Sequence, residues 1–216
     1  MFVFGICIGN EEKYLQYARP GLELSIRPGD LVIELRNQTS IHHAYNRILD
    51  HAQGLADLEA VVLLHEDLQI LDTHFRTKVI RSFEHPNVGV VGAIGAINVS
   101  SLAWWEGEIR GVLAESRFQV QGDLLEGEVD TVDGALLCLS PQVTQKNRFD
   151  ENYQGFHGYD ADLCFSVRAS GRTVFVTTFD LFHHTKGGYG DVASYLFNND
   201  LFLEKWTLTA TGSQND

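Results

Sequence analysis

The residues able to do chemistry fall in a few short stretches. In VVLLHEDLQIL (61–71), four strand-forming apolar residues run straight into His65, Glu66 and Asp67 before apolar residues resume. Carboxylates at a strand terminus suit Mg2+ or Mn2+, which take oxygen ligands from one or two side chains plus substrate phosphates. A solvated turn is the plain alternative. In GYDADLC (158–164), Asp160 sits at an expected helix start, where the helix dipole favours a carboxylate, so helix capping also explains it. Asp162 projects to a different side of that helix, so the two do not form a dyad. His183 and His184 follow an expected strand and point in different directions, so at most one meets a given metal ion; a surface loop explains either as well. Trp104 and Trp105 stand in a polar, Gly-rich segment. Indole faces there can hold a flat ligand or sugar ring, or pack in the core or an interface.

The elements that must position these groups follow from periodicity. FVFGICI (2–8) reads as a strand buried on both faces. A helix follows over EEKYLQYAR, with acids in its first turn. LVIEL (31–35) is a second strand. Thr39 or Ser40 can cap the next helix, in which Ile41, Ala44, Tyr45, Ile48, Leu49 and Ala52 keep the helical spacing until Gly54 ends it. AVVLL (60–64) is the third strand, THFRTKVIRSF a helix and VGVVG (88–92) the fourth strand. This alternation predicts an α/β fold with a parallel sheet and ligand chemistry at the carboxyl ends of its strands, which is where His65, Glu66 and Asp67 fall.

The second half is less regular. Residues 93–127 read as a long loop with short strands around RFQVQG, and VDTVDGALLCLS (129–140) returns to strand character. A helix is expected from about Asp160 to Ala169, ended by Gly171, then a strand over TVFVTTF, a loop over LFHHTKGGYG, a closing helix to Trp206 and a frayed tail over 207–216.

Composition narrows the function. With 29 acidic and 16 basic residues the formal net charge is −13, which disfavours a nucleic acid or an anionic membrane surface as partner. Cys7, Cys138 and Cys164 lie among apolar neighbours without metal-type spacing, and read as buried thiols of a reducing compartment. No apolar run approaches a membrane span and the N-terminus lacks a signal-peptide pattern, so a cytoplasmic location is expected.

Taken in order, the blocks IGNEE (8–12), SIHHAYNRIL (40–49), VVLLHEDLQIL (61–71), VDGALLCLS (132–140), RFDENYQGFHGYDADLCFSVRASG (148–171) and LFHHTKGG (181–188) resemble the family 2 glycosyltransferases of the GT-A fold. The likeness is greatest to their compact branch with a degenerate metal motif, and it spans residues 2 to 206. It implies a Rossmann-type, mostly parallel central sheet flanked by helices, with a small antiparallel element in the second half. It also implies a single domain over 1–206, divided into a nucleotide-binding half (1–92) and an acceptor and catalytic half (93–206).

The resemblance further implies a nucleotide-sugar donor bordered by Ile8, Gly9, Asn10 and Glu11, with Glu34 near the base and Glu66 beside the donor. Asp67, with His184 or His183, would hold Mn2+ or Mg2+. Asp160 would be the catalytic base, and Trp104, Trp105 and His157 would shape the site of a carbohydrate or other hydroxyl acceptor. Transfer by one in-line displacement would invert the anomeric centre. The chain departs from the family pattern at His65, which replaces an Asp, at Tyr159, which replaces a Glu, and at Glu34, one methylene longer than the usual Asp. It has no Gln-x-x-Arg-Trp segment, which disfavours processive synthesis. A catalytically inactive domain of this fold that binds a nucleotide or glycan is the alternative reading. A nucleotidyltransferase is disfavoured because IGNEEK offers only Lys13 near a phosphate loop.

Overall fold

The computed structural model describes residues 1–85, 87–187 and 190–212, of which 207–212 as backbone alone. The first three strands form as the apolar runs predict: β1 (Phe2–Ile8), β2 (Leu31–Arg36) and β3 (Ala60–His65). Both neighbours pair with β1 in parallel. Enclosed on two sides, β1 sends alternate residues to opposite faces. Phe2, Phe4, Ile6 and Ile8 join one core cluster, and Val3 joins the other with Cys7 packed against it.

Helix Ile41–Ala52 lies on the second face and buries all six of its predicted apolar positions. It approaches β1 at Gly5, where a Cβ would fall 2.7 Å from the Ile48 side chain. The N-cap of this helix is Ser40, although its hydroxyl makes no capping bond. The helix after β1 continues past the predicted EEKYLQYAR segment as three consecutive stretches, Glu11–Lys13, Tyr14–Ala18 with π geometry, and Arg19–Ser25.

The chain then adds β4 (Leu68–Ile70), helix Phe75–Phe83 and β5 (Val88–Gly92). Segment 93–127 carries a strand within RFQVQG as expected, but more strand elsewhere than the long loop expected there. It holds β6 (Ile94–Ile97), the eight-residue β7 (Glu108–Glu115) and β8 (Gln119–Gln121). Gly111 within β7 has a φ of 87°, and such an interruption masks a strand in a sequence reading. The 129–140 run has the expected strand character, in three pieces. It divides among the end of β9 (Gly127–Val129), β10 (Thr131–Val132) and β11 (Leu136–Leu139), with a turn at Gly134 and Ala135 between the last two. After helix Tyr159–Ala169 come β12 (Thr173–Val176), β13 (Leu181–His183) and the closing helix Val192–Gly212. That helix runs past Trp206 into the segment expected to fray, while Ser213–Asp216 and the Gly188 end of LFHHTKGG lie outside the described residues.

Seven strands form the central sheet in the order β2-β1-β3-β11-β5-β12-β9. The third and fourth predicted strands are therefore not neighbours. Strand β11 is inserted between β3 and β5, antiparallel to both. Its run of four buried residues suits a central place, but alternation along a sequence does not fix the order of strands. A second sheet, β10-β6-β7-β13-β4 with β8 on β7, draws β4 from the first half of the chain. The antiparallel element is thus larger than expected, and it brings β13 against the end of β3 through β4. No described helix is long and apolar enough to cross a membrane.

Candidate active site

The site forms where the two sheets meet. Strand β3 delivers His65 at its last position, the following turn delivers Asp67, and β13 delivers His183 from the second sheet. These three offer ligand atoms that all lie within 4.8 Å of one another. His183 Nε2 stands 3.2 Å from Asp67 Oδ1, and its Nδ1 stands 3.3 Å from Glu115 Oε1. Lys13 Nζ donates to Asp67 Oδ2 at 2.7 Å. His65 Nε2 shares a 2.6 Å hydrogen bond with the Tyr159 hydroxyl.

The electrostatics follow from these contacts. Burial opposes the charged form of His183, but its bonds to Asp67 and Glu115 prevail and raise its pKa to about 9. Burial also works against the Asp67 carboxylate, yet His183 and Lys13 hold it well below the usual range. For His65, burial and then the neighbouring His183 charge lower the pKa, so the ring is neutral at pH 7 and has a lone pair to give.

The donor set fits a divalent metal ion. Two imidazoles and one carboxylate suit a first-row divalent transition metal better than they suit Mg2+, which prefers oxygen ligands. Glu115 behind the far nitrogen of His183 provides the outer carboxylate that commonly orients a ligating histidine.

Asp160 lies in the first turn of helix Tyr159–Ala169, two residues past the cap position, which is held by Gly158 with a φ of 80°. Its Oδ2 accepts from Gly134 N–H and its Oδ1 from Ala161 N–H, both at 2.9 Å. Burial and then the charge of Asp133 raise its pKa to about 7, against the opposing pull of those amides. Asp162 faces elsewhere, as expected. It accepts from Tyr153 Oη at 3.0 Å, Trp206 Nε1 at 2.9 Å and Lys205 Nζ at 3.0 Å, which ties down the closing helix.

Two cavities open onto this centre. The larger, about 580 Å3, is lined by Asp160, Trp104, Trp105, His157, Asp133 and Glu115, among others, together with His65, Asp67 and His183. The smaller, about 520 Å3, is lined by Cys7, Ile8, Gly9, Asn37, Gln38 and Tyr45, among others, and by Glu66. His65, Asp67 and Phe156 line both. The loop leading to helix Tyr159–Ala169 is fixed at the edge of the site by two asparagines. Asn46 bonds to both the N–H and the carbonyl of Phe149, and Asn198 bonds to Gln154 and to the His157 carbonyl.

The remaining expected donor residues are distributed as follows. Glu66 accepts from the N–H groups of Gly9 and Asn10 at 2.5 and 2.7 Å, which closes the loop after β1. The Asn10 side chain caps the following helix through Lys13 N–H. Glu11 is forked to Arg36, and Glu34 is bound by Tyr14 and Arg36; neither lines the smaller cavity. His184 is separate from the metal-capable group. Its ring stacks on Tyr17 at 3.7 Å, and its Nε2 meets Gln69 Oε1 at 2.9 Å.

Sequence reasoning placed His65 in a metal-capable stretch at a strand end but left it out of the ligand set, because it stands where the family has an Asp. Glu115 lay in a segment expected to be a loop. Tyr159 registered only as a departure from the family pattern, where a Glu is usual, and its bond to His65 had no signal in the sequence.

A family model described as a glycosyltransferase-like family matches residues 3–206. The streptomycin biosynthesis protein StrF of Streptomyces griseus is 33% identical over 204 residues, which is 92% of this chain and 72% of that one. Among solved structures, mannosyltransferase PcManGT from Pyrobaculum calidifontis, in complex with GDP-Man and Mn2+, superposes with a TM-score of 0.59 at 12% identity. The match covers 94% of this chain and 64% of that one. GalNAc-T7 with UDP, GalNAc and Mn2+ gives a TM-score of 0.65 at 11% identity, over 95% of this chain and 48% of that one. At such identities these structures speak to the fold, which is that of GT-A glycosyltransferases.

Proposed function

The chain belongs to the glycosyltransferase-like family, and from that membership we propose that it moves a sugar from a nucleotide-diphosphate sugar to an acceptor hydroxyl with inversion. One observation carries the reading: His65 and Asp67 line both cavities, so the metal-capable group stands between a ligand in one and a ligand in the other.

The smaller cavity, at the carboxyl ends of β1 and β3, is the donor's place, as open α/β sheets bind ligands there. The donor diphosphate then meets His65, Asp67 and His183. A divalent cation bound by these three would neutralise the negative charge of the departing nucleotide. Both related structures above hold a nucleotide and Mn2+, which agrees with this assignment.

The acceptor occupies the larger cavity with its hydroxyl directed at Asp160. That oxygen attacks the anomeric carbon, the bond from this carbon to the diphosphate oxygen breaks, and the hydroxyl proton passes to the Asp160 carboxylate. A pKa of about 7 suits a base at neutral pH, since it is half-ionised there yet far more basic than a free carboxylate. Gly134 and Ala161 hold the carboxylate still while leaving each oxygen a lone pair for the proton. One displacement with one base inverts the anomeric centre.

A thermal-shift series with UDP, GDP, CDP and dTDP, each with and without Mn2+, tests the assignment. One nucleotide should raise the melting temperature only with Mn2+, and Asp67→Ala should abolish that shift. No shift with any nucleotide would refute the transferase reading in favour of a domain of this fold without turnover.

A further inference from the structure

Among the described residues, four aromatic side chains are more than one-third exposed: Trp105 at 41%, Phe118 at 54%, Phe156 at 47% and Phe197 at 47%. Three of them, Trp105, Phe118 and Phe156, line the larger cavity. They reach it from unrelated places: the turn Trp104–Glu106, the connection between β7 and β8, and the loop held by Asn46 and Asn198. None of the three belongs to a core cluster, although Trp105 meets the buried Trp104 edge-on at 6.0 Å. Phe118 is the plainest case, because the tip of a tight hairpin ordinarily carries polar residues. The Arg117 guanidinium covers its ring at 4.9 Å and is itself fixed to Glu115 at 2.7 Å.

Deeper in the cavity the wall stays apolar, with Trp104, Ile109, Leu113 and Val120. The carboxylates of Asp67, Asp133 and Asp160 and the ring of His183 mark the catalytic end. Exposed aromatic groups gathered around one concavity mark a ligand surface.

We propose that the acceptor is a hydroxyl compound with an apolar body, its hydroxyl at Asp160 and its aromatic or aliphatic portion among Trp105, Phe118 and Phe156. This rests on the reading of Asp160 as the base. A single small sugar ring could cover one of these aromatic faces but would leave the others wet. A cavity of about 580 Å3 has room for a sugar-sized ring together with a substituent of phenyl size.

Two of the three tryptophans line the cavity, so their fluorescence reports its occupation. The full chain is titrated with methyl, hexyl and phenyl β-glucosides, which keep one sugar and vary only the apolar group. The larger substituents should bind about tenfold tighter than methyl or better. Phe118→Ala, at an exposed position, should lose that gain and keep the methyl affinity. A tighter phenyl compound identifies an aromatic body, and a tighter hexyl compound an aliphatic one. Equal affinities across the series, no binding by the larger two, or a gain that survives Phe118→Ala would each overturn the proposal. The Mn2+-dependent nucleotide shift is measured on the same samples. If it persists while the glucosides fail, the acceptor class is wrong and the transferase reading stands.

Discussion

The Tyr159 hydroxyl lies 2.6 Å from Nε2 of His65, and it also occupies the space that a Cβ at residue 134 would need. One side chain therefore touches a residue of the metal-capable group and closes over the backbone whose N–H holds Asp160. A neutral His65 that gives Nδ1 to a cation carries its proton on Nε2 and donates it to the tyrosine oxygen. Tyr159 thereby fixes the tautomer on which metal binding depends.

Tyr159→Phe keeps the ring and removes this acceptor. Titration calorimetry should show Mn2+ binding weakened by about tenfold or more, as for other outer partners of metal ligands. Gly134→Ala should be worse, because the new methyl meets the Tyr159 hydroxyl and displaces the amide that holds Asp160.

As the proposed base, Asp160 should set the pH profile. With its pKa raised to about 7, kcat/KM should rise with pH through neutrality and level off above it. The same shift works against stability. A carboxyl whose folded pKa exceeds its unfolded value favours the fold below pH 4, and this contribution is lost as pH rises through 7. Asp160→Asn should lower transfer by about a hundredfold or more, while the Mn2+-dependent nucleotide shift remains. Full activity in that variant would remove Asp160 from the base role.

Much of this was legible in the sequence, and the losses have physical causes. Apolar runs and helical spacing located β1, β3 and helix Ile41–Ala52 because these elements bury continuous surface, and they located β2 by its β-branched, alternating run although it lies exposed at the sheet edge. The chain position of His65 and Asp67, at the end of β3, followed directly. Strand order did not, because the insertion of β11 is a long-range pairing that leaves no local trace. Neither did the choice between His183 and His184. Alternation along a strand places them on opposite sides, but which side faces Asp67 depends on the register of β13 against β4. Glu115 was hidden by the irregular β7, and the pairing of Glu11 and Glu34 with Arg36 depends on how β2 sits beside the first helical segment.

Asp162 resembles Asp160 in sequence and differs from it in role. Its buried carboxylate holds Tyr153, Lys205 and Trp206, which join the 149–158 loop to the closing helix. Asp162→Ala strands those partners and should destabilise the fold by about 3–5 kcal/mol in urea unfolding. Under native conditions it should leave Mn2+ affinity nearly unchanged, since Asp162 lies outside the metal-capable group.

Metal binding should be coupled to protons at His183. Without a cation this residue keeps its proton up to about pH 9, because Asp67 and Glu115 flank it. A ligating imidazole must be neutral, so the ion displaces that proton. Mn2+ affinity should therefore increase with pH, by about tenfold per unit below 9, and calorimetry in buffers of different ionisation enthalpy should count one proton released. The sign is opposite for the cation-free fold. A histidine with a raised folded pKa stabilises below pH 6.5, and that contribution is lost as pH rises through 9, so the melting temperature without metal should fall over this window. Lys13 adds a second competitor, because its ammonium group already neutralises Asp67 at 2.7 Å. Lys13→Met should tighten Mn2+ binding several-fold at pH 7, by removing a like charge from beside the site. Unchanged affinity in Lys13→Met, together with no proton release in the native chain, would place the cation away from Asp67 and His183.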